Sequence, residues 1–70
     1  MELKEYRRLR GLSRASFGRL VGVTGMQVWR WETGRSMPKP PVVDAIRSGT
    51  GGAVTAEDHQ RAVIGRRASA

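Results

Sequence analysis

Residues 14–33, RASFGRLVGVTGMQVWRWET, constrain the fold more than any other stretch of this chain. They read as two short helices joined by a tight turn at Gly22. Phe17 and Val21 stand four residues apart and so share one helix face, with the small Gly18 beside them. After the turn, Val23, Val28 and Trp31 supply the apolar positions of the second helix. That set leaves Gly25, Met26, Gln27, Trp29 and Arg30 pointing outward. The two helices are expected to cross steeply, so a side chain larger than Ala at position 18 would push them apart. Gly22 accepts positive φ and ends the first helix abruptly. Thr24 then caps the second helix through its hydroxyl.

Charge narrows the partner. Thirteen Lys and Arg against six Asp and Glu give a net charge of +7. Residues 7–31 hold six arginines, at positions 7, 8, 10, 14, 19 and 30, and no carboxylate. A basic face of this kind is either simply solvated or suited to a polyanion, and its overlap with the paired helices favours the polyanion. Seventy residues make one domain at most, with a stability of roughly 3–5 kcal/mol. There is no cysteine, hence no disulfide and no thiolate metal site. No apolar run approaches the roughly 20 residues that span a bilayer. The N-terminus is charged from residue 2, unlike a signal peptide, so a cytoplasmic location is expected.

The flanking segments read as further helices. Residues 2–10 form the first, with Leu3, Tyr6 and Leu9 as an apolar stripe and Gly11 as its stop. Leu12 enters the core, and Ser13 caps the helix that begins at Arg14. Gly34, Arg35 and Ser36 end the third helix, and residues 37–41 form a rigid proline-rich connector. A fourth helix is expected over about 41–48, with Val42, Val43 and Ile46 apolar. Thr50, Gly51 and Gly52 make a turn, followed by a short extended piece at Ala53 and Val54. Thr55 and Asp58 resemble a capping box for a fifth helix from 56. That helix should fade near Gly65, giving a domain over 1–64 and a basic, frayed tail over 65–70.

Leu3-x-x-Tyr6-Arg7, Gly11-Leu12-Ser13, Gly22-Val23-Thr24, Val28, Trp31-Glu32-x-Gly34 and Pro38 together resemble a known family. The chain is similar to the helix-turn-helix domain of lambdoid phage repressors and Cro proteins, the XRE-type transcriptional regulators. The likeness covers roughly half the chain, position by position, and its spacing through WExG makes it specific. It implies an all-α, compact five-helix lambda-repressor-like domain, with the helix-turn-helix at helices 2 and 3. Two positions depart from the family: Leu20, usually polar there, and Gly25, which costs roughly 1 kcal/mol of helix propensity against Ala. Leu20 is either partly exposed or part of a contact surface.

By position, the resemblance puts Gly25, Met26 and Arg30 in the base-reading set, with Gln27 and Trp29 at its border. Arg30 suits guanine O6 and N7, Gln27 suits adenine or a phosphate, and Met26 suits a thymine methyl. Their bland readings are a solvent-facing arginine, a surface methionine and, for Trp29, an extra core residue. Trp31 has the stronger claim to the core, because each helical residue is turned about 100° from the next and the two tryptophans therefore face different sides. Arg14 matches a family position that contacts the DNA backbone, and Thr24, Thr33, Arg35 and Lys39 flank the third helix as phosphate donors. Arg7 and Glu32 match a pair that pins the third helix to the first, so both are expected to be scaffold, along with Trp31 and Gly22.

Enzyme chemistry finds little support. His59 is the single histidine, and its neighbours Glu57 and Asp58 do not converge with it on a helix. Neither a catalytic residue nor a metal or cofactor site is expected. The expected function is sequence-specific binding of double-stranded DNA by a small transcriptional regulator of phage or mobile-element type, a repressor before an activator. The alternative is a DNA-binding antitoxin or adaptor that docks RNA polymerase or another protein partner through residues 55–70 or Leu20. A pure protein-interaction module and an RNA binder are further readings, the last weakened by only four aromatic residues. A weak homodimer on operator DNA is expected through the C-terminal third, where Val54, Val63 and Ile64 either form the contact or simply cap the core.

Overall fold

The computed structural model describes residues 1–69, with side chains to residue 67. It contains five helices among the described residues: α1 Leu3–Leu9, α2 Arg14–Val21, α3 Gly25–Glu32, α4 Pro40–Gly49 and α5 Ala56–Ser69. No strand occurs among the described residues, and no helix there is long and apolar enough to cross a membrane. The Cα radius of gyration is 10.9 Å. A tightly folded chain of this length would have about 11 Å, so no helix projects away from the body.

Local signals set most of the boundaries. Ser13 Oγ accepts from Ser16 N at 3.0 Å and caps α2. Gly22, at φ 79°, stops α2, and Thr24 Oγ1 accepts from Gln27 N at 3.2 Å to cap α3. Pro40 and Pro41 occupy the first turn of α4, where a missing N–H costs nothing. Thr55 N donates to Asp58 Oδ2 at 2.8 Å, so the expected capping contact opens α5.

The buried core is Leu3, Phe17, Val28, Trp31, Ile46 and Val54, drawn from four helices and the turn before α5. Tyr6, Leu12, Val21, Val23 and Val42 pack around it. The Tyr6 ring meets Phe17 edge-on, with centroids 6.4 Å apart.

Several expectations need correction. Leu9 is 72% exposed and leaves the apolar stripe. Six residues beyond Leu3 at 100° per residue, it lies about 120° round the helix. Val54 is fully buried, so it belongs to the core and is closed to any dimer contact; Ile64 is exposed. Ala53 and Val54 form bends rather than an extended piece. The reason is Thr50, whose hydroxyl donates to Ile46 O at 2.7 Å and accepts from Val54 N at 3.2 Å, curling the chain back over the end of α4. Gly65 does not end α5, which continues to Ser69; the last residue of the expected tail, at position 70, lies outside the described residues.

Candidate nucleic-acid interface

The α2–turn–α3 unit is closer packed than its sequence suggests. A Cβ at Gly18 would lie 2.5 Å from Val23 O and 3.1 Å from Thr24 C. The expectation that Ala fits at position 18 is therefore too generous: even a methyl group meets the backbone of the turn. The cause is local, since Val23 N bonds Gly18 O at 2.7 Å and draws the turn onto the helix. Gly25 has a similar role at the other end of the unit. A Cβ there would come within 3.1 Å of Ala15 N and 3.3 Å of its Cα, so the start of α3 rests on the start of α2. The helix-propensity cost of Gly25 is offset by this approach.

Val28 and Trp31 form the underside of α3, at 0% and 2% exposure. The outer face carries Met26, which is exposed, the half-buried Gln27 and Trp29, and the exposed Arg30. Arg30 Nη1 reaches Gln27 Oε1 at 3.4 Å, so the two polar outer residues lean together. Met26, Gly25 and Trp29 line a shallow cleft with Ala15 and Arg14 of α2. Trp29 and Trp31, two residues and so about 200° apart round the helix, divide: Trp29 is half-buried at the cleft and Trp31 is in the core.

Glu32 is the anchor beneath this face. Its side chain is 1% exposed and accepts from Arg7 Nε at 2.7 Å, Arg7 Nη2 at 3.2 Å and Arg14 Nε at 3.1 Å. Arg7 also donates to Leu12 O at 3.0 Å. The Arg7–Glu32 pair ties α1 to α3, and the Arg14 arm adds α2. Sequence reasoning missed this third arm, because residues 18 positions apart show no local pattern. Glu32 ends the acid-free run of residues 7–31 in sequence, but in the fold its charge is hidden beneath two guanidinium groups.

The flanking donors differ in what they have left to give. Thr24 Oγ1 accepts the capping bond, and its proton remains available to a phosphate. Thr33 Oγ1 instead donates to Trp29 O at 2.8 Å, which commits the proton a phosphate would need. The Arg35 guanidinium lies 4.4 Å from the Trp29 ring centroid, a stacked cation–π contact not apparent in the sequence. Lys39 is exposed at the start of α4. Arg14 keeps 41% of its side-chain surface beside Gly25 and Met26.

His59 stands apart from this face. It is 3% exposed, and its Nε2 has no hydrogen-bond partner. Burial lowers its pKa below 6.5, opposed by the neighbouring Asp58 charge. Asp58 is itself buried, which raises its pKa. The Thr55 backbone N–H, the N-terminal ammonium 3.2 Å away and the Thr55 hydroxyl outweigh that and hold it below 3.8. Asp58 fastens the start of α5 through Thr55 and the N-terminus, His59 packs buried beside it, and among the described residues no group of three or more His, Cys, Asp or Glu converges as metal ligands would.

Residues 1–60 match the family model described as a helix-turn-helix domain, while no curated protein and no solved structure matched the chain. The match runs through α4 and into the start of α5, so it takes in the scaffold as well as the two central helices. A helix-turn-helix domain suggests DNA as a partner. On the match and on the geometry of α2 and α3, the chain belongs to the helix-turn-helix domain family.

Proposed function

We propose that this chain binds double-stranded DNA sequence-specifically, with α3 in the major groove, and acts as a small XRE-type transcriptional regulator, a repressor before an activator. The observation that carries the reading is the outer face of α3. Met26 and Arg30 are exposed on a helix whose underside is locked by Val28 and Trp31, and the one nearby carboxylate, Glu32, is buried and doubly paired. A rigid underside with chemically distinct outward groups is what base reading requires.

In this reading Arg30 pairs with a guanine, Gln27 with an adjacent base or phosphate, and Met26 with a thymine methyl. Gly25 acts by letting the start of α3 sit low on α2, and Trp29 acts by packing beside Met26. Arg14, Thr24, Arg35 and Lys39 hold phosphates on either side of the groove. The function is binding rather than catalysis, in the cytoplasm, with two copies meeting weakly on paired half-sites. A second reading adds a protein partner, as in an antitoxin or adaptor. It is favoured by Leu20, which is 71% exposed on α2.

Selection of bound sites from random duplex DNA with the purified chain tests the proposal. A recovered motif with two related half-sites about one helical turn apart is expected. Recovery of no motif, at salt concentrations where the chain still binds duplex, would overturn sequence-specific reading.

A further inference from the structure

Beyond the C-terminal end of α3, a second basic feature takes shape that the sequence hides in two distant segments. Gly34, at φ 73°, lets the chain leave α3 and press against α5, where a Cβ would lie 2.9 Å from Ala62 C and 3.0 Å from Val63 Cα. One helical turn beyond that contact, α5 carries Arg66 and Arg67. The turn itself supplies Arg35 and Ser36. These four residues line a single groove whose floor includes Gly34 and Val63.

Two features of the groove point to an anion. It is lined by three arginines and no acidic residue, and among the described residues none of the three forms an ion pair. Like charges gathered on one wall repel each other unless an anion lies between them. The Arg35 guanidinium lies over the Trp29 ring, 4.4 Å from its centroid, a contact that restrains the side chain without using its N–H donors. Because Trp29 is on the outer side of α3, the groove continues the DNA-facing surface.

We propose that this groove binds a phosphate group of the duplex backbone, one that flanks the base pairs covered by α3. The proposal rests on the DNA-binding reading above. It assigns Arg66 and Arg67, at the far end of α5, a role in affinity that carries no base preference.

The test uses the full chain and the double substitution Arg66→Ala with Arg67→Ala. Both residues are exposed and outside the core, and Ala preserves helix propensity. Anisotropy titrations against one duplex over a range of salt give the slope of log K on log salt for both proteins. Each phosphate released from the contact should reduce the slope by about 0.9. The expected result is a slope shallower by one such step, with a roughly ten-fold loss of affinity at moderate salt that is equal across duplex sequences. Neutral methylphosphonates placed singly along the duplex should reveal one flanking position that weakens the parent and leaves the double variant unaffected.

Equal slopes and affinities for the parent and the double variant would overturn the groove while leaving DNA binding by α3 intact. Absence of duplex binding by the parent at low salt would overturn both. Inorganic phosphate that perturbs the Arg66 and Arg67 resonances, while the salt slopes stay equal, would reassign the groove to a free anion and overturn the proposal.

Discussion

Glu32→Gln removes the charge that three helices share and keeps the side chain's volume. The lost carboxylate is 1% exposed and accepts three guanidinium N–H bonds, two from Arg7 and one from Arg14. Gln retains one acceptor oxygen and turns an NH2 group toward a donor. Arg7 is 13% exposed, so its charge cannot swing into water without dragging α1. Removing one partner of a fully buried ion pair costs about 3–5 kcal/mol. Arg7 keeps its bond to Leu12 O and a little solvent, so the expected loss is about 2–4 kcal/mol. The Arg14 arm is 41% exposed, and a pair of that kind contributes about 0–1 kcal/mol. Against a total of roughly 3–5 kcal/mol for so small a domain, Glu32→Gln should be near its unfolding midpoint without denaturant, while Arg14→Ala should stay close to the parent. Urea unfolding followed by helical circular dichroism gives both numbers. A Glu32→Gln variant within about 1 kcal/mol of the parent, or an Arg14→Ala variant that loses as much as Glu32→Gln, would refute the reasoning.

Gly18→Ala should destabilise by about 1–2 kcal/mol: overpacking against the Val23 carbonyl outweighs the gain in helix propensity. A raised urea midpoint would show that the turn can yield. Trp31→Ala should cost about 3–5 kcal/mol and lose binding by losing structure; an unchanged melting temperature with lost binding would instead put Trp31 on the DNA side. Acid should weaken the fold in two stages. His59 is held below 6.5 when folded, so as pH falls below 6.5 the unfolded chain takes up the proton first and stability declines. Asp58 is held below 3.8 when folded, so the same logic adds a second loss as pH falls below 3.8. Urea midpoints for the parent and His59→Gln should converge in their pH dependence above 6.5 and separate below it; identical profiles throughout would exclude His59 as the cause of the first stage.

What was legible in the sequence is mostly what is decided within a few residues. Ser13 and Thr24 announce their helices because a capping hydroxyl must stand three residues before the N–H it accepts. Gly22 marks the turn because its φ is positive. The Arg7–Glu32 pair came through family resemblance, since no periodicity relates two residues 25 apart. What stayed hidden depends on distances between helices. Gly18 is legible as a position that must stay small and Gly25 as a cost in helix propensity; only the packed turn shows that one faces the Val23 carbonyl and the other Ala15. Arg14 and Arg35 looked like two equivalent surface cations. One is bound to Glu32 and the other is stacked on Trp29. Thr50 sits in a glycine turn that reads as loop, yet its hydroxyl is what fastens Val54 in the core. The end of α5 was misjudged because a glycine inside a helix resembles a stop until its neighbours are known.

The central claim is that the outer face of α3 reads bases while the residues around it grip phosphates. Arg30 carries most of that claim: it is exposed on α3, and its guanidinium bonds Gln27 Oε1 at 3.4 Å. The most direct measurement is the binding of the parent and of Arg30→Ala to a panel of single-base substitutions in the selected site. The account predicts that Arg30→Ala loses about 1–3 kcal/mol on the best site and becomes indifferent to base identity at one position per half-site, with other positions unchanged. A uniform loss at every position, with the base preference intact, would place Arg30 on a phosphate and contradict the account.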